Sequence, residues 1–176
     1  MAQDTNPTVV SDAALAARVK SFAASQLFRR TFQDGMAMVE ETAAYLDGSG
    51  REESKILPRR AALAYAGESM RLTTRLMQVA SWLLVQRAIN DGDMAVSEAA
   101  KDKYRLGARE ICTAKRVEAL ELLPPKLIDL LERSEQIYER VDRLDQLIYK
   151  GISGEPAPDS VRGQLDKLSA AFGLEK

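Results

Sequence analysis

Arg71 and Arg75 stand four residues apart around Thr73 and Thr74, and Glu68 lies three residues before the first of them. On a helix this spacing brings the carboxylate, both guanidinium groups and the Thr74 hydroxyl to neighbouring positions. A forked, permanently charged donor beside a hydroxyl is suited to gripping a carboxylate or phosphate of another molecule. The plainer reading is a solvated or inter-helix ion pair, and exposed pairs of that kind contribute under about 1 kcal/mol. A second cluster, Tyr45, Leu46, Asp47, Gly48, Gly50 and Arg51, has the composition of a helix end and turn. Capping alone accounts for its aspartate and glycines, while a turn on rigid support also offers Tyr45 and Arg51 to a partner. The candidate partner-binding residues are therefore Tyr45, Asp47, Arg51, Glu68, Arg71, Thr74 and Arg75.

Neither cluster holds the parts of a covalent or acid–base catalyst. The sequence has no histidine and a single cysteine, Cys112, which removes histidine-dependent triads, the commonest general base and the commonest metal ligand together. A structural zinc site, built from four sulfur or nitrogen ligands, has no donor set to draw on. Carboxylates such as Glu40, Glu41 and Glu68 remain, but a di-metal centre in a helical bundle uses Glu-x-x-His pairs, which need a histidine. The expectation is a non-enzyme without catalytic residues, metal or cofactor. The 25 basic and 26 acidic residues nearly cancel, so no net field draws the chain to nucleic acid or an anionic membrane. A basic face through Arg29, Arg30, Arg59, Arg60, Arg71, Arg75 and Arg87, or the Ser97 to Cys112 stretch as a recognition helix, would be the route to a DNA-binding regulatory module, and neither is specific. The lone cysteine fits a reducing compartment. Met1 to Val10 lack the basic start and apolar run of a secretion signal, and no segment reaches the roughly 18 apolar residues of a membrane span. A cytoplasmic location and protein partners are the resulting expectations.

The elements that must position these groups read as helices. Ser11 and Asp12 can cap a first helix to Leu46, with Phe28, Phe32, Val39, Ala43 and Leu46 at helical spacing and a bend or restart near Ser21 to Ser25. Gly35 inside it predicts a close crossing with another helix, since glycine there costs about 1 kcal/mol relative to alanine. Asp47 to Gly50 stop that helix, with glycine in the left-handed conformation, and Arg51 to Lys55 read as a charged loop. Pro58 then opens a second helix, over 30 residues long, that ends at Asn90 to Gly92. It carries two apolar stripes, one through Leu63, Ala66, Met70, Met77, Ala80 and Leu84, the other through Leu72, Leu76, Val79 and Leu83. One face cannot hide both. Leu72, Leu76, Val79, Trp82 and Leu83 are accordingly read as a homodimer interface, with the protein core as the plainer alternative.

Ser97 and Glu98 start a shorter polar helical stretch that ends near Gly107, and the segment that follows, to Leu123, reads as an irregular, partly helical connector. Pro124 and Pro125 open a third helix, in which Leu127, Leu130, Ser134, Ile137, Val141, Leu144 and Ile148 keep a three-four spacing up to Gly151. The predicted architecture is an all-α antiparallel three-helix bundle over residues 11–151, with a disordered segment 1–10 and a flexible tail 152–176. Within that tail Val161, Leu165, Leu168 and Phe172 are spaced so that a short amphipathic helix could form in a partner's groove. Leu165, Leu168 and Phe172 join the partner-binding candidates on that ground.

The run TFQDGMAMVEETAAYLDGSGREESKILPRRAALAYAGESMRLTTRLMQVASWLLVQRAINDGDM, Thr31 to Met94, resembles the signature block of the regulator of CtrA degradation family. The likeness is strongest in EETAAYLDG, Glu40 to Gly48, and ESMRLTTRLMQVASWLLVQRA, Glu68 to Ala88; the third helix is similar more loosely. The resemblance implies a dimeric helical bundle that joins the ClpXP protease with a response-regulator partner and brings it protein cargo, the cell-cycle regulator CtrA included. It also implies a cytoplasmic protein concentrated at a cell pole. Tethering would be the physical mechanism, since cargo held beside an unfoldase is presented at an effective concentration of about millimolar for a short tether.

Overall fold

A computed structural model describes residues 12–115 and 120–149. Among them every regular element is a helix: α1 Asp12–Ala23, α2 Gln26–Asp47, α3 Ser49–Ile56, α4 Arg59–Asp91, α5 Val96–Ala99, α6 Arg109–Cys112 and α7 Pro125–Tyr149, with single 3-10 turns at Asp102–Tyr104 and Leu120–Leu122. Residues 1–11 and 150–176 lie outside the described chain, and with them Leu165, Leu168 and Phe172.

The first helix restarts within the expected Ser21 to Ser25 stretch, giving two helices. It ends at Ala23, and Ser25, in extended backbone, accepts the Phe28 N–H at 3.1 Å and starts α2 afresh, as an N-cap serine does. The charged stretch after it is helical rather than a loop. Gly48 leaves α2 with φ −102° and ψ −117° instead of the left-handed turn, and α3 begins at the next residue. Gly50 seats α3, because a Cβ there would fall 2.7 Å from both the Tyr45 ring and the Tyr65 hydroxyl. α4 begins after Pro58 and ends as predicted, at a left-handed Gly92 (φ 85°) whose N–H caps Ala88 and Ile89.

α2, α4 and α7 pack on one another. Gly35 lets them approach closely, since an added Cβ would meet Leu83 Cδ1 at 2.6 Å. Leu72, Val79, Leu83, Leu127, Leu130, Leu131 and Val141 are fully buried between them, each worth about 1.5–3 kcal/mol relative to exposure. α1 closes one side, setting Phe22 edge-on to Phe28 (5.6 Å) and tilted against Trp82 (5.9 Å).

The direction of α7 corrects the antiparallel expectation. α2 runs antiparallel to α7, since Asp34 pairs with Arg140 and Glu41 with Arg133 and Lys126. α4 runs parallel to it, because Arg75 meets Ser134, Trp82 meets Asp145 and Gln86 meets Tyr149. A parallel neighbour needs a long return. The connector supplies it, retracing α4 backwards: Gly107 N–H donates to Gln78, the Cys112 carbonyl accepts from Arg75 and the Lys115 carbonyl accepts from Arg71.

Candidate functional site

Most of the polar groups singled out on α4 turn inward. Arg75 is fully buried. Its Nε and Nη2 donate to the Cys112 carbonyl at 3.1 and 2.9 Å, its Nη1 donates to Ser134 Oγ at 2.7 Å, and Glu135 lies 3.4 Å away. Burial pulls the guanidinium pKa down from its ordinary value, with Glu135 opposing. Glu68 is also buried and accepts from Arg71 at 2.7 Å. Glu68 and Arg75 are therefore structural ties rather than exposed binding groups. Arg75 stays in the interior because the connector brings it the Cys112 carbonyl and α7 brings it Ser134 and Glu135, and Glu68 is held by Arg71; a charge removed from water needs such partners. Arg71, half-buried at the edge, spans Glu68 and the Lys115 carbonyl. Thr74 bonds back to the Met70 carbonyl at 2.9 Å, on the solvent side.

A second interior lattice was not anticipated in the sequence. Asp145, buried, accepts a two-pronged bond from Arg105 at 2.7 and 2.7 Å, and Trp82 Nε1 at 2.8 Å. Burial lowers the Arg105 pKa, but the Asp145 bonds outweigh it and hold it above the ordinary arginine value. The Arg105 guanidinium also lies over the Tyr149 ring, 4.4 Å from its centre, a cation–π arrangement. The one signal in sequence was an aspartate on an otherwise apolar helical face.

Leu72, Leu76, Val79, Trp82 and Leu83, read as a dimer interface, are all buried in the chain's own core. That assignment is corrected. The opposite stripe is the exposed one, with Leu63 at 77%, Met70 at 72%, Met77 at 58% and Leu84 at 51% exposure. The α2–α3 corner divides. Tyr45 is buried and donates to Glu53 at 2.7 Å, and burial followed by that bond raises its pKa; it fixes the corner instead of presenting itself. Asp47 and Arg51 are exposed there, and Ile56 is exposed at the far end of α3. On the α2–α7 surface Glu41 accepts from Arg133 at 2.7 and 3.0 Å and from Lys126. Arg133 first and Lys126 next hold its carboxyl down at about 2.

Cys112 is buried, and burial pushes its thiol pKa up, the opposite of nucleophile activation. Among the described residues no group of three or more His, Cys, Asp or Glu side chains comes together to hold a metal ion, and no helix is long and apolar enough to cross a membrane. Fold and surface thus define a helical bundle protein whose charged residues lock its connector in place while its central helix shows solvent an apolar side.

The model of a family described as a protein of unknown function, DUF1465, matches residues 19–172. The crystal structure of RcdA from Caulobacter crescentus CB15 is similar at 55% sequence identity, over 74% of this chain and 97% of that one, with a TM-score of 0.62. Comparison with curated proteins finds no match. The chain belongs to the DUF1465, RcdA-like family, as the Thr31 to Met94 block implied.

Proposed function

We propose that this chain regulates the degradation of CtrA as a non-catalytic adaptor. It delivers CtrA and other protein cargo to the ClpXP protease together with a response-regulator partner, and it works in the cytoplasm, concentrated at a cell pole, as a homodimer. The observation that carries the reading is the 55% identity to RcdA across 97% of that chain. The physical features support it: the interior salt bridges make a rigid body, and what remains at the surface is suited to touching other polypeptides. Asp47 and Arg51, presented with Ile56 at the α2–α3 corner, are the partner-docking residues in this reading. They stand on a helix end fixed by the Tyr45–Glu53 bond, so docking there costs little ordering. Delivery needs no chemistry, because colocalising cargo and unfoldase raises effective concentration to about millimolar.

The test is reconstituted degradation with purified ClpXP, the response-regulator partner and labelled CtrA, with and without this protein. Shortened CtrA half-life is expected, and Arg51→Glu with Asp47→Lys should remove the effect while leaving thermal stability unchanged. Half-lives identical with and without the protein, across CtrA and a panel of other cargo, would overturn the reading.

A further inference from the structure

Where α1 passes the end of α4 and the start of α5, the surface opens into a hollow of about 810 Å³. Leu15 and Ile89 are buried beneath it, and Ala16, Met94 and Val96 line it half-exposed. Among the described lining residues Lys20 alone is charged. A mostly apolar hollow of that size is large enough to take several side chains, and it lacks the converging charged groups that orient a small polar ligand. Along α1 it runs from Leu15 to Ala24, a rise of about 14 Å.

The chain's own sequence beyond α7 supplies a segment of matching length and chemistry. Val161, Leu165, Leu168 and Phe172 recur at i, i+4, i+7 and i+11, which at helical spacing puts them within about 60° of one another. Arg162, Asp166 and Lys167 fall on the other side. From Val161 to Phe172 such a stripe rises about 16 Å, close to the length of the hollow. The end of α7 lies within reach. Arg18 donates to the Leu147 and Ile148 carbonyls in its last turn, each at 3.2 Å, and Leu15 and Ala16 stand within one turn of Arg18 along α1. Eleven residues separate Tyr149 from Val161, a reach of up to about 36 Å, whereas crossing α1 takes about 10–12 Å. The family match runs on to residue 172 and so takes in the whole stripe. It starts at residue 19 and leaves out residues 1–11, whose large apolar residues are Met1, Val9 and Val10 alone. Those three make no stripe of the hollow's length.

We propose that residues 161–172 dock as a short helix into the α1–α4–α5 hollow of the same chain, with Val161, Leu165, Leu168 and Phe172 turned inward. Tied to the bundle by eleven residues, the segment meets the hollow at an effective concentration of about 1 mM. An intrinsic dissociation constant of about 0.1 mM then keeps the hollow filled about nine-tenths of the time. Tail and hollow mask one another in consequence. A partner that binds either one has to displace the other, and its affinity is cut about tenfold.

Disulfide trapping tests the seat in the full chain, with Cys112→Ser as background and folding checked by circular dichroism. Leu168→Cys paired with Val96→Cys should close an intramolecular disulfide at least about tenfold faster than Leu168→Cys paired with Ser21→Cys; Ser21 is exposed on α1 outside the hollow, three residues from Arg18. Equal rates would overturn the seat, and a disulfide found only between two chains would give the hollow to a second copy and overturn the intramolecular contact. A synthetic peptide of residues 159–174 measures the masking with no substitution in the bundle. It should bind the full chain about tenfold more weakly than the full-length Leu165→Asp, Leu168→Asp variant, whose own tail no longer competes. Equal binding to both chains, or binding to neither, would refute the proposal. Neither measurement contains protease or cargo, so docking is judged apart from the CtrA half-life test of delivery.

Discussion

Replacing Arg75 by methionine keeps the unbranched stem and removes the forked head that fastens the connector to α4 and α7. The Cys112 carbonyl then loses both of its Arg75 donors, at 3.1 and 2.9 Å, and a buried acceptor stripped of its partner costs about 1–3 kcal/mol. Ser134 loses an incoming bond but keeps its own to the Leu131 carbonyl at 2.8 Å. Glu135 has a side chain 29% exposed, so water replaces the lost cation for under about 1 kcal/mol. The expected total is about 3 kcal/mol, which for a chain of this size lowers Tm by about 6–12 °C. Urea unfolding followed by the emission of Trp82, the single tryptophan, measures it, with the slope unchanged and the midpoint moved. Amide exchange should quicken first over residues 107–115, where the tie ends, before the rest of the chain. Arg75→Met as stable as the parent, or more so, would refute the reasoning: Leu106, Cys112 and Leu123 would then hold the connector through apolar contact alone, as interiors that exchange a buried ion pair for hydrocarbon can do.

Asp145→Asn should cost about 2–4 kcal/mol, since Arg105 keeps its charge in a part-buried site without a counterion; the red shift of Trp82 emission reports its effect on the indole, and an unshifted spectrum with unchanged stability would count against the lattice. Gly50→Ala should destabilise by about 1–3 kcal/mol in thermal melts, because the new methyl meets two aromatic side chains that have no room to yield. Glu41 supplies the acid limb: its folded pKa of about 2 lies below the ordinary value of 4.5, so its stabilisation is complete above about pH 4.5 and is lost as pH falls toward 2. Glu41→Gln should flatten the stability profile in that window by under about 1 kcal/mol, given its partial exposure, and leave the profile above pH 6 parallel to the parent's.

Where local chemistry decides, the sequence was readable. Pro58, Gly92 and the Pro124–Pro125 step mark helix ends that the structure places there or next to them, because ring closure and left-handed backbone act within a few residues. The buried side of α7 was likewise legible in Leu127, Leu130, Ser134, Ile137, Val141 and Ile148. α3 was missed because Arg51 to Lys55 are charged and follow two glycines, and only the stacking of Gly50 on Tyr45 and Tyr65 makes a helix the economical path. On α4 the usual sorting of charged side out and apolar side in points the wrong way. Arg75 and Gln86 are buried because their partners arrive from the connector and α7, tens of residues away in sequence, while Glu68 is held by Arg71 of its own helix. No periodicity in α4 itself encodes those partners, so the stripe that the core takes was read as a homodimer interface.

The return of the connector along α4 also gives the molecule a handle end and a working end. Arg18 Nη1 donates to the carbonyls of Leu147 and Ile148, each at 3.2 Å, so the described chain enters through α1 and leaves through α7 at the same pole. The α2–α3 corner sits toward the other pole: Gly50 lies against Tyr65 and Tyr149 against Gln86, and the rise along α4 from Tyr65 to Gln86 is about 30 Å. A fluorophore or surface linkage placed on α1 near Arg18 or on the last turn of α7 would hang from the handle end, and both kinds of attachment would orient the molecule the same way with Asp47 and Arg51 facing outward.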